Sequence, residues 1–363
     1  MPDIAQPLVV GMDLGTSSSS AVFEGGPVYL PSVVGTPRPG LLPGLLPDSR
    51  NALFGEDALV YHNLVDMVWP IRQGTIADAR AATAFCAHMA KLIDPSGKRP
   101  IHVVVGTPAH APPRHMAAVR QVLAGSFQKV QFYSEPFLVV MGLRADKGRA
   151  GQVDPALNSM VIDIGAGTTD VTVVQGMLPG ADRQRSVAVA GDEVDRRLWE
   201  RLSHLYPDLD MPMVRVTRLK EQYAYVAEQT RSVAFRYPVL GKPQSIEAGE
   251  ALRSACEVLL SATLPIVTEL LEKSPGELME GLQQNIILAG GGSRIEGLDL
   301  MFQNRLRAAG FDQAAVHKVK DYQYLVAQGA AAMAAQSRPS DWQNLPVPDK
   351  AEKTEKSGKA EQA

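Results

Sequence analysis

The stretch MVIDIGAGTTDVTVV, residues 160–174, decides how this chain folds. An apolar run reaches Asp163, a turn follows with Gly165, Gly167, Thr168 and Thr169, and apolar alternation resumes after Asp170. Alternation on both sides of a glycine-rich bend reads as a β-hairpin. The segment LVVGMDLGTSSSSAVF, residues 8–23, repeats the plan: a strand to Asp13, a turn holding Gly15, Thr16 and Ser17, and a returning strand. Two such openings in one chain imply duplication. Each half would be a mixed β-sheet with helices on its faces, and the halves would meet across a cleft.

Bulk properties fit that plan. At 363 residues the chain calls for roughly two domains of ~100–200 residues. Its 45% hydrophobic and 21% charged residues are those of a soluble globular protein. A net charge of −3 gives no field for nucleic acid or anionic lipid, so no nucleic-acid partner is expected. Cys86 and Cys256 sit in separate apolar contexts without metal-ligand spacing, which fits a reducing cytoplasm. No uncharged apolar run reaches about 18 residues, and the opening MPDIAQP has neither signal-peptide nor anchor-helix character. Direct membrane insertion is therefore not expected.

Between the hairpins, residues 27–34 read as a third strand and 37–47 as an exposed loop rich in Pro, Gly and Leu. Helices are expected over 77–92 and from Pro113 to Ala124, with the buried strand PIHVVVGTPA between them. KVQFYSEPFLVVMGL is a strand running into a helix whose first turn holds Pro136, which puts Glu135 at or just before the cap. Residues 146–158 form a polar loop and a domain boundary. GDEVDRRLWERL and VTRLKEQYAYVAEQ are helical in pattern, and 250–280 is helical with interruptions at Pro265 and Pro275. NIILAGGGSRIEGLDLMFQNRL is strand, glycine turn, helix, and DYQYLVAQGAAAMAAQ is a small-residue helix that must pack closely. From Ser337 the chain turns polar and reads as a disordered tail.

A turn with several glycines lets backbone N–H groups converge on an anion, most often phosphate, and hydroxyls add donors. The usual phosphate loop needs Gly-Lys-Ser/Thr opening a helix, and the dinucleotide fingerprint also needs a helix after its glycines. Both turns here run on into strands, so neither reading applies. What remains is a pair of hairpin phosphate loops closing on a polyphosphate from two sides. Asp13 and Asp163 then end their strands where a Mg²⁺ ion is held through its waters, and Asp170 adds to that outer shell. The plain alternative is a tight hairpin with Asx-turn chemistry, which explains one turn more easily than two matched ones. A third turn, Gly290, Gly291, Gly292 and Ser293, lets a flat base approach the backbone, or is simply a helix-entry loop.

Together these pieces resemble the actin/Hsp70/hexokinase ATPase superfamily, and within it the bacterial actins. GMDLGTSSS is similar to the first phosphate motif, VIDIGAGTTDVTVV to the second and ILAGGGSRIEGL to the adenosine motif; SEPFLVVMGL and YLVAQGAAAMA fall where the interdomain helices belong. WPIRQGTIAD and VVVGTPAHAPPRHMAAVRQ also fit the bacterial actin pattern. Ala166 and Asp170 depart from the cell-shape branch, which carries a third glycine and a Glu there, and resemble the branch that organises magnetosome chains.

The resemblance implies a two-lobed α/β actin-like fold with duplicated mixed sheets around a nucleotide cleft. It divides the chain into domain I (1–145, with 31–64 as a peripheral subdomain), domain II (146–321, with 191–264 peripheral), a returning helix (322–336) and a disordered tail (337–363). ATP or ADP with Mg²⁺ is the implied cofactor set. Asp13 and Asp163 would hold the metal's waters. Gly15, Thr16 and Ser17 would cradle phosphate from one side, and Gly165, Gly167, Thr168 and Thr169 from the other. Glu135 would orient or deprotonate the attacking water, with Asp163 its catalytic companion; as a bare residue Glu135 is equally an acid favoured by a helix N-terminus. Lys220 and Glu221 would touch ribose and base, or form an exposed charged helix face. Gly191 would line the phosphate pocket, or merely start a helix. His110 and His115 lack metal spacing and read as surface-loop histidines.

Self-association into filaments and partners among magnetosome-associated proteins are further implications. A sugar or acid kinase of the same fold would want a catalytic aspartate and a substrate pocket, a chaperone ATPase a substrate-binding domain, and a membrane-tethered division actin a basic amphipathic end. None of these is evident in the sequence.

Overall fold

The computed structural model describes residues 6–47, 52–146 and 153–346. Sequence readings for 1–5, 48–51, 147–152 and 347–363 lie outside the described residues.

The chain opens with β1 (Leu8–Leu14), β2 (Ser18–Phe23) and β3 (Gly26–Pro31). A small unit follows: β4 (Val34–Pro37), β5 (Leu53–Phe54), α1 (Glu56–Val60) and β6 (Val65–Val68), then the short pair β7 (Ile71–Arg72) and β8 (Thr75–Ile76). Next come α2 (Ala79–Ile93), β9 (Ile101–Thr107), α3 (Pro113–Leu123), β10 (Lys129–Ser134) and α4 (Glu135–Ala145). The second half begins with β11 (Ser159–Ile164), β12 (Thr169–Val174) and β13 (Gln184–Val187). It continues with α5 (Gly191–Leu205), α6 (Met213–Tyr223), β14 (Ala234–Val239), β15 (Lys242–Glu247) and α7 (Gly249–Glu272). The remainder is α8 (Gly276–Gln284), β16 (Ile286–Ala289), α9 (Leu298–Ala308), β17 (Val316–Lys318), α10 (Tyr322–Gln336) and β18 (Gln343–Asn344).

Duplication is visible strand by strand. The first sheet reads β3-β2-β1-β9-β10-β18 and the second β13-β12-β11-β16-β17. In each, two antiparallel steps lead to a central strand, and two parallel partners follow it. The alternation of LVVGMDL and SMVIDI is suppressed because helices cover both faces of these central strands, which demands apolar residues throughout. Each sheet packs into its own core, one around Val10, Phe85 and Val103, the other around Ile162, Leu198 and Leu259.

Two helices join the halves. α4 leaves the first sheet and packs on β11 and β12, while α10 leaves the second sheet and packs on β1 and β9. They cross each other in a third core that takes in Leu138, Val161, Ile287 and Leu325. α4 has no polar face, and Pro136 to Leu143 are all buried, as a helix between two layers requires. At the crossing, a Cβ on Gly329 would lie 1.9 Å from the Leu138 carbonyl oxygen, and one on Gly142 would lie 2.4 Å from that of Leu325. Only glycine permits this approach.

Several expectations are corrected. The strand read as 27–34 ends at Pro31, and Val34 begins a different three-stranded sheet with β5 and β6. The helix expected across VTRLKEQYAYVAEQ stops at Tyr223, and Tyr225 instead bridges to Glu296. Pro265 does not interrupt its helix: α7 runs unbroken for 24 residues, with Leu259, Leu260, Val267 and Leu270 buried around the proline. Their burial outweighs the roughly 3 kcal/mol that an interior proline costs. α7 is the one helix among the described residues long and apolar enough to cross a membrane, but those side chains lie in the second core. The β14–β15 hairpin was not foreseen. His115 is no surface residue: it lies buried on α3 with Nδ1 unpartnered, and burial lowers its pKa. His110 is exposed.

Residues 338–346, expected to belong to a disordered tail, pack on the first lobe instead. β18 pairs antiparallel with Lys129 and Val130 of β10, Trp342 packs on the His102 ring, and Leu345 is buried in the first core.

Candidate functional site

The two hairpin bends face each other across a cavity of about 680 Å³ between the sheets, a size suited to a bound small molecule. The matched topology explains why. β1 and β11 are the central strands of equivalent sheets, so Asp13 and Asp163 emerge at equivalent strand ends. Gly165 N–H closes its bend on the Thr168 carbonyl (2.9 Å), leaving the residues between them facing the cavity. The hairpins approach closely: a Cβ on Gly167 would lie 2.5 Å from Thr16 Oγ1 and 2.6 Å from Gln73 Cα.

The expected residues divide in two. Asp13, Gly15, Thr16, Ser17, Glu135, Asp163, Gly165, Gly167, Thr168, Gly191, Lys220, Glu221, Gly290, Gly291 and Gly292 all border the cavity. Thr169, Asp170 and Ser293 do not. Thr169 is fully buried and its hydroxyl donates to the Val189 carbonyl (2.7 Å). Ser293 turns inward to donate to the Gly290 carbonyl (2.7 Å). Asp170 is 1% exposed, and its Oδ1 accepts the Ala109 N–H at 2.8 Å, a partner on the opposite lobe.

Glu135 is the first residue of α4, one place past its Ser134 cap, and it comes off the end of β10 into the cavity. Lys220 is not on an exposed charged face. Its Nζ pairs with Asp195 Oδ2 (3.0 Å) and donates to the Gly191 carbonyl (3.0 Å), binding α6 to the start of α5. Glu221, its neighbour, is exposed at the cavity edge. Gly290 adopts a φ of 71°, and a Cβ there would strike Asp163 Oδ1 at 2.4 Å, so the third glycine turn lies directly against the carboxylate.

Sequence reasoning missed several cavity residues. Arg72 of β7 lies over the Trp69 ring (5.6 Å) and faces Asp192 of the other lobe, whose carboxyl it helps to hold down against burial. Arg294 is hydrogen-bonded to Tyr322 at the start of α10, opposite Glu221. Arg72 stands inside WPIRQGTIAD and Arg294 inside the third glycine motif, so the motifs were visible, but neither spacing nor period marks these arginines out.

The electrostatics of the cavity floor are one-sided. Burial pushes Asp163 up to about 8, with Asp170 and Asp13 adding repulsion. Burial raises Asp13 to about 7. Glu135 is held well above its ordinary value by burial and then by Asp13, Asp170 and Asp163. Among the described residues none of these four acids has a basic partner within 4 Å. Crowded carboxylates without a counter-charge are what a bound divalent cation would relieve. No three acids among the described residues converge closely enough to coordinate a metal directly. The donor set therefore fits Mg²⁺, which keeps much of its water and takes further oxygens from substrate phosphates.

Comparison with known proteins follows the same line. The family model described as MreB/Mbl protein matches residues 8–340. The actin-like protein MamK of Paramagnetospirillum magneticum is 31% identical over 344 residues, covering 93% of this chain and 95% of that protein. Among solved structures, a MamK double helical filament superposes with a TM-score of 0.82 at 30% identity, covering 92% of this chain and all of the other. A non-polymerising MamK mutant bound to AMPPNP superposes at 0.64 with the same identity, covering 91% and 99%.

Proposed function

Since the chain belongs to the MreB/Mbl family of bacterial actin-like proteins, we propose that it binds ATP with Mg²⁺ in the cleft, hydrolyses it slowly, and polymerises into cytoplasmic cytoskeletal filaments. The observation that carries this reading is the pair of equivalent hairpins closing on a cavity whose floor holds Asp13, Asp163 and Glu135. The likeness to a MamK filament and to an AMPPNP-bound MamK supports both the assembly and the nucleotide.

In this reading the bends at 15–17 and 165–168 cradle the phosphates from opposite lobes. Asp13 and Asp163 would hold the waters of a bound Mg²⁺, which would supply positive charge against the phosphates. With a bound cation favouring the ionised form of the floor carboxylates, Glu135 would accept a hydrogen bond from the attacking water and orient it in line. The third glycine turn, with Lys220 and Glu221 opposite, receives ribose and base. Binding draws the lobes together about the α4–α10 crossing, coupling nucleotide state to lobe angle.

Head-to-tail association is supported by two apolar sites at opposite ends of α7. The β14–β15 hairpin leads into its N-terminus and exposes Leu240 at the tip. Its last turn is joined to β13 by Arg185–Glu269 (2.7 Å), beside loops that expose Met177 and Leu178. A helix of 24 residues spans ~36 Å, so contact between these ends is head to tail; such contacts build a filament where the rotation does not close, and the likeness to a MamK filament favours that case. A filament alongside magnetosomes, with magnetosome-associated proteins as partners, is the finer assignment, and it rests on the likeness to MamK. The deciding experiment is sedimentation with ATP and Mg²⁺ beside phosphate release. Pelleting with slow release supports the reading, whereas a protein that stays in solution and turns over only with a small acceptor overturns it.

A further inference from the structure

The geometry of Asp170 assigns it a task its sequence position does not reveal: we propose that it is a positioning residue, tying the second hairpin to the backbone that seats Glu135. The inference rests on the hydrolytic reading above and deepens it.

Asp170 stands directly opposite Asp163 in the β11–β12 ladder, so the two carboxyls leave the sheet on the same face. Asp163 borders the cavity and Asp170 does not. Its Oδ1 crosses to the other lobe and accepts the Ala109 N–H at 2.8 Å. The Thr168 and Ser186 hydroxyls also bond to the carboxylate, fixing it from its own lobe. A fully buried acid that spends an oxygen on a backbone amide of the opposite lobe is a tether.

The other end of the tether is short and stiff. Ala109 lies two residues beyond Thr107, the last residue of β9. Thr107 is paired in the ladder with Ser134, and Gly106 with Tyr133. The Thr107 hydroxyl donates to the Tyr133 carbonyl (3.3 Å). Ser134 is the cap of α4 and Glu135 its first residue. A Cβ on Gly106 would lie 3.0 Å from Glu135 Cγ, so the end of β9 forms the wall beside that side chain. Asp170 is thus connected to Glu135 through one hydrogen bond, two residues of chain, one rung of a parallel ladder and the Ser134–Glu135 peptide bond. When the lobes close on a nucleotide, this link sets where the Glu135 carboxylate stands relative to the second hairpin. A misplacement of about 1 Å at such a site costs up to ~100-fold in rate.

The test compares Asp170→Ala with Asp170→Asn in the full chain. Asparagine keeps an oxygen that accepts the Ala109 N–H but carries no charge. Asp170→Ala is expected to lower ATP turnover about 10–100-fold with KM and nucleotide affinity within about 3-fold of the original. Asp170→Asn is expected to return turnover to within about 3-fold. Amide hydrogen exchange with AMPPNP bound is the second readout, independent of turnover. The Ala109 amide exchanges faster in Asp170→Ala and stays protected in Asp170→Asn. If Asp170→Asn is as slow as Asp170→Ala and its Mg²⁺ dependence shifts, the charge acts on the metal and the tether is overturned. Unchanged Ala109 protection in Asp170→Ala overturns it as well. If the original chain releases no phosphate at all, the hydrolytic reading fails, and the exchange result alone decides whether the tether exists.

Discussion

Gly329 of α10 sits so close to the Leu138 carbonyl of α4 that no larger residue fits between the helices. The contact lies in the core that takes in residues of both lobes. Any rotation of the lobes about this crossing would pivot on backbone pressed against backbone.

Gly329→Ala inserts a methyl group where backbone already fills the space. Overpacking of this kind costs about 1–3 kcal/mol. The thermal midpoint of the purified variant should fall by several degrees, and an unchanged midpoint would mean that the crossing is looser than described.

Glu135→Ala should bind nucleotide and assemble, yet release phosphate about 100-fold or more slowly, the usual span for losing a general base or its equivalent. Sedimentation and single-turnover phosphate release read the two properties separately. Normal release would remove Glu135 from the mechanism.

Asp163→Ala should weaken nucleotide binding about 10–100-fold when Mg²⁺ is present, with a much smaller change when EDTA is added. Titration of a fluorescent ATP analogue under both conditions checks this. Equal affinities with and without the ion, in variant and original alike, would end the assignment.

The same acids give the metal-free protein a pH signature. Asp163 is raised from 3.8 to about 8 and Asp13 from 3.8 to about 7. A carboxyl whose folded pKa lies above its unfolded value binds more protons when folded, so its contribution is full below about 3.8 and is lost as pH climbs through 7 and 8. Metal-free protein should therefore lose thermal stability between pH 6 and 8, and Mg²⁺ with AMPPNP should flatten that decline. A metal-free midpoint that rises over this interval would contradict the crowding.

Leu240 and Met177 are each 78% exposed at opposite ends of the second lobe. Leu240→Asp or Met177→Asp places a charge where an apolar contact between copies would form. A well-packed contact residue is worth about 2 kcal/mol or more, so the critical concentration for pelleting should rise at least ~10-fold while nucleotide affinity holds. Pelleting at the original concentration would move the interface elsewhere.

Much of this site was legible because its chemistry is local. Asp13 and Asp163 end strands beside glycine turns, and hairpin periodicity alone placed both carboxylates at matching positions. The contact made by Asp170 was not legible, for the opposite reason. Its ladder partner can be read from the hairpin, but the amide that captures it comes from residue 109, delivered by a different sheet. Thr169 and Ser293 fail similarly, since nothing in a turn sequence says which hydroxyls close the turn and which face outward. The β14–β15 hairpin escaped because KPQSIE buries only Ile246, leaving almost no apolar alternation to detect. Pro265 misled because propensity is local, whereas the burial that overrides it along α7 is tertiary.

The two lobes are equivalent strand by strand until Gln343 and Asn344, which lie along β10 and have no counterpart beside β17 among the described residues. An open strand border is an invitation to sideways pairing with any neighbouring chain. A protein that gathers its own copies at high density carries that hazard wherever a border is bare. By pairing Gln343 and Asn344 with the start of β10, the first lobe shortens that bare border and narrows one route to indiscriminate sticking, which favours ordered growth over clumping.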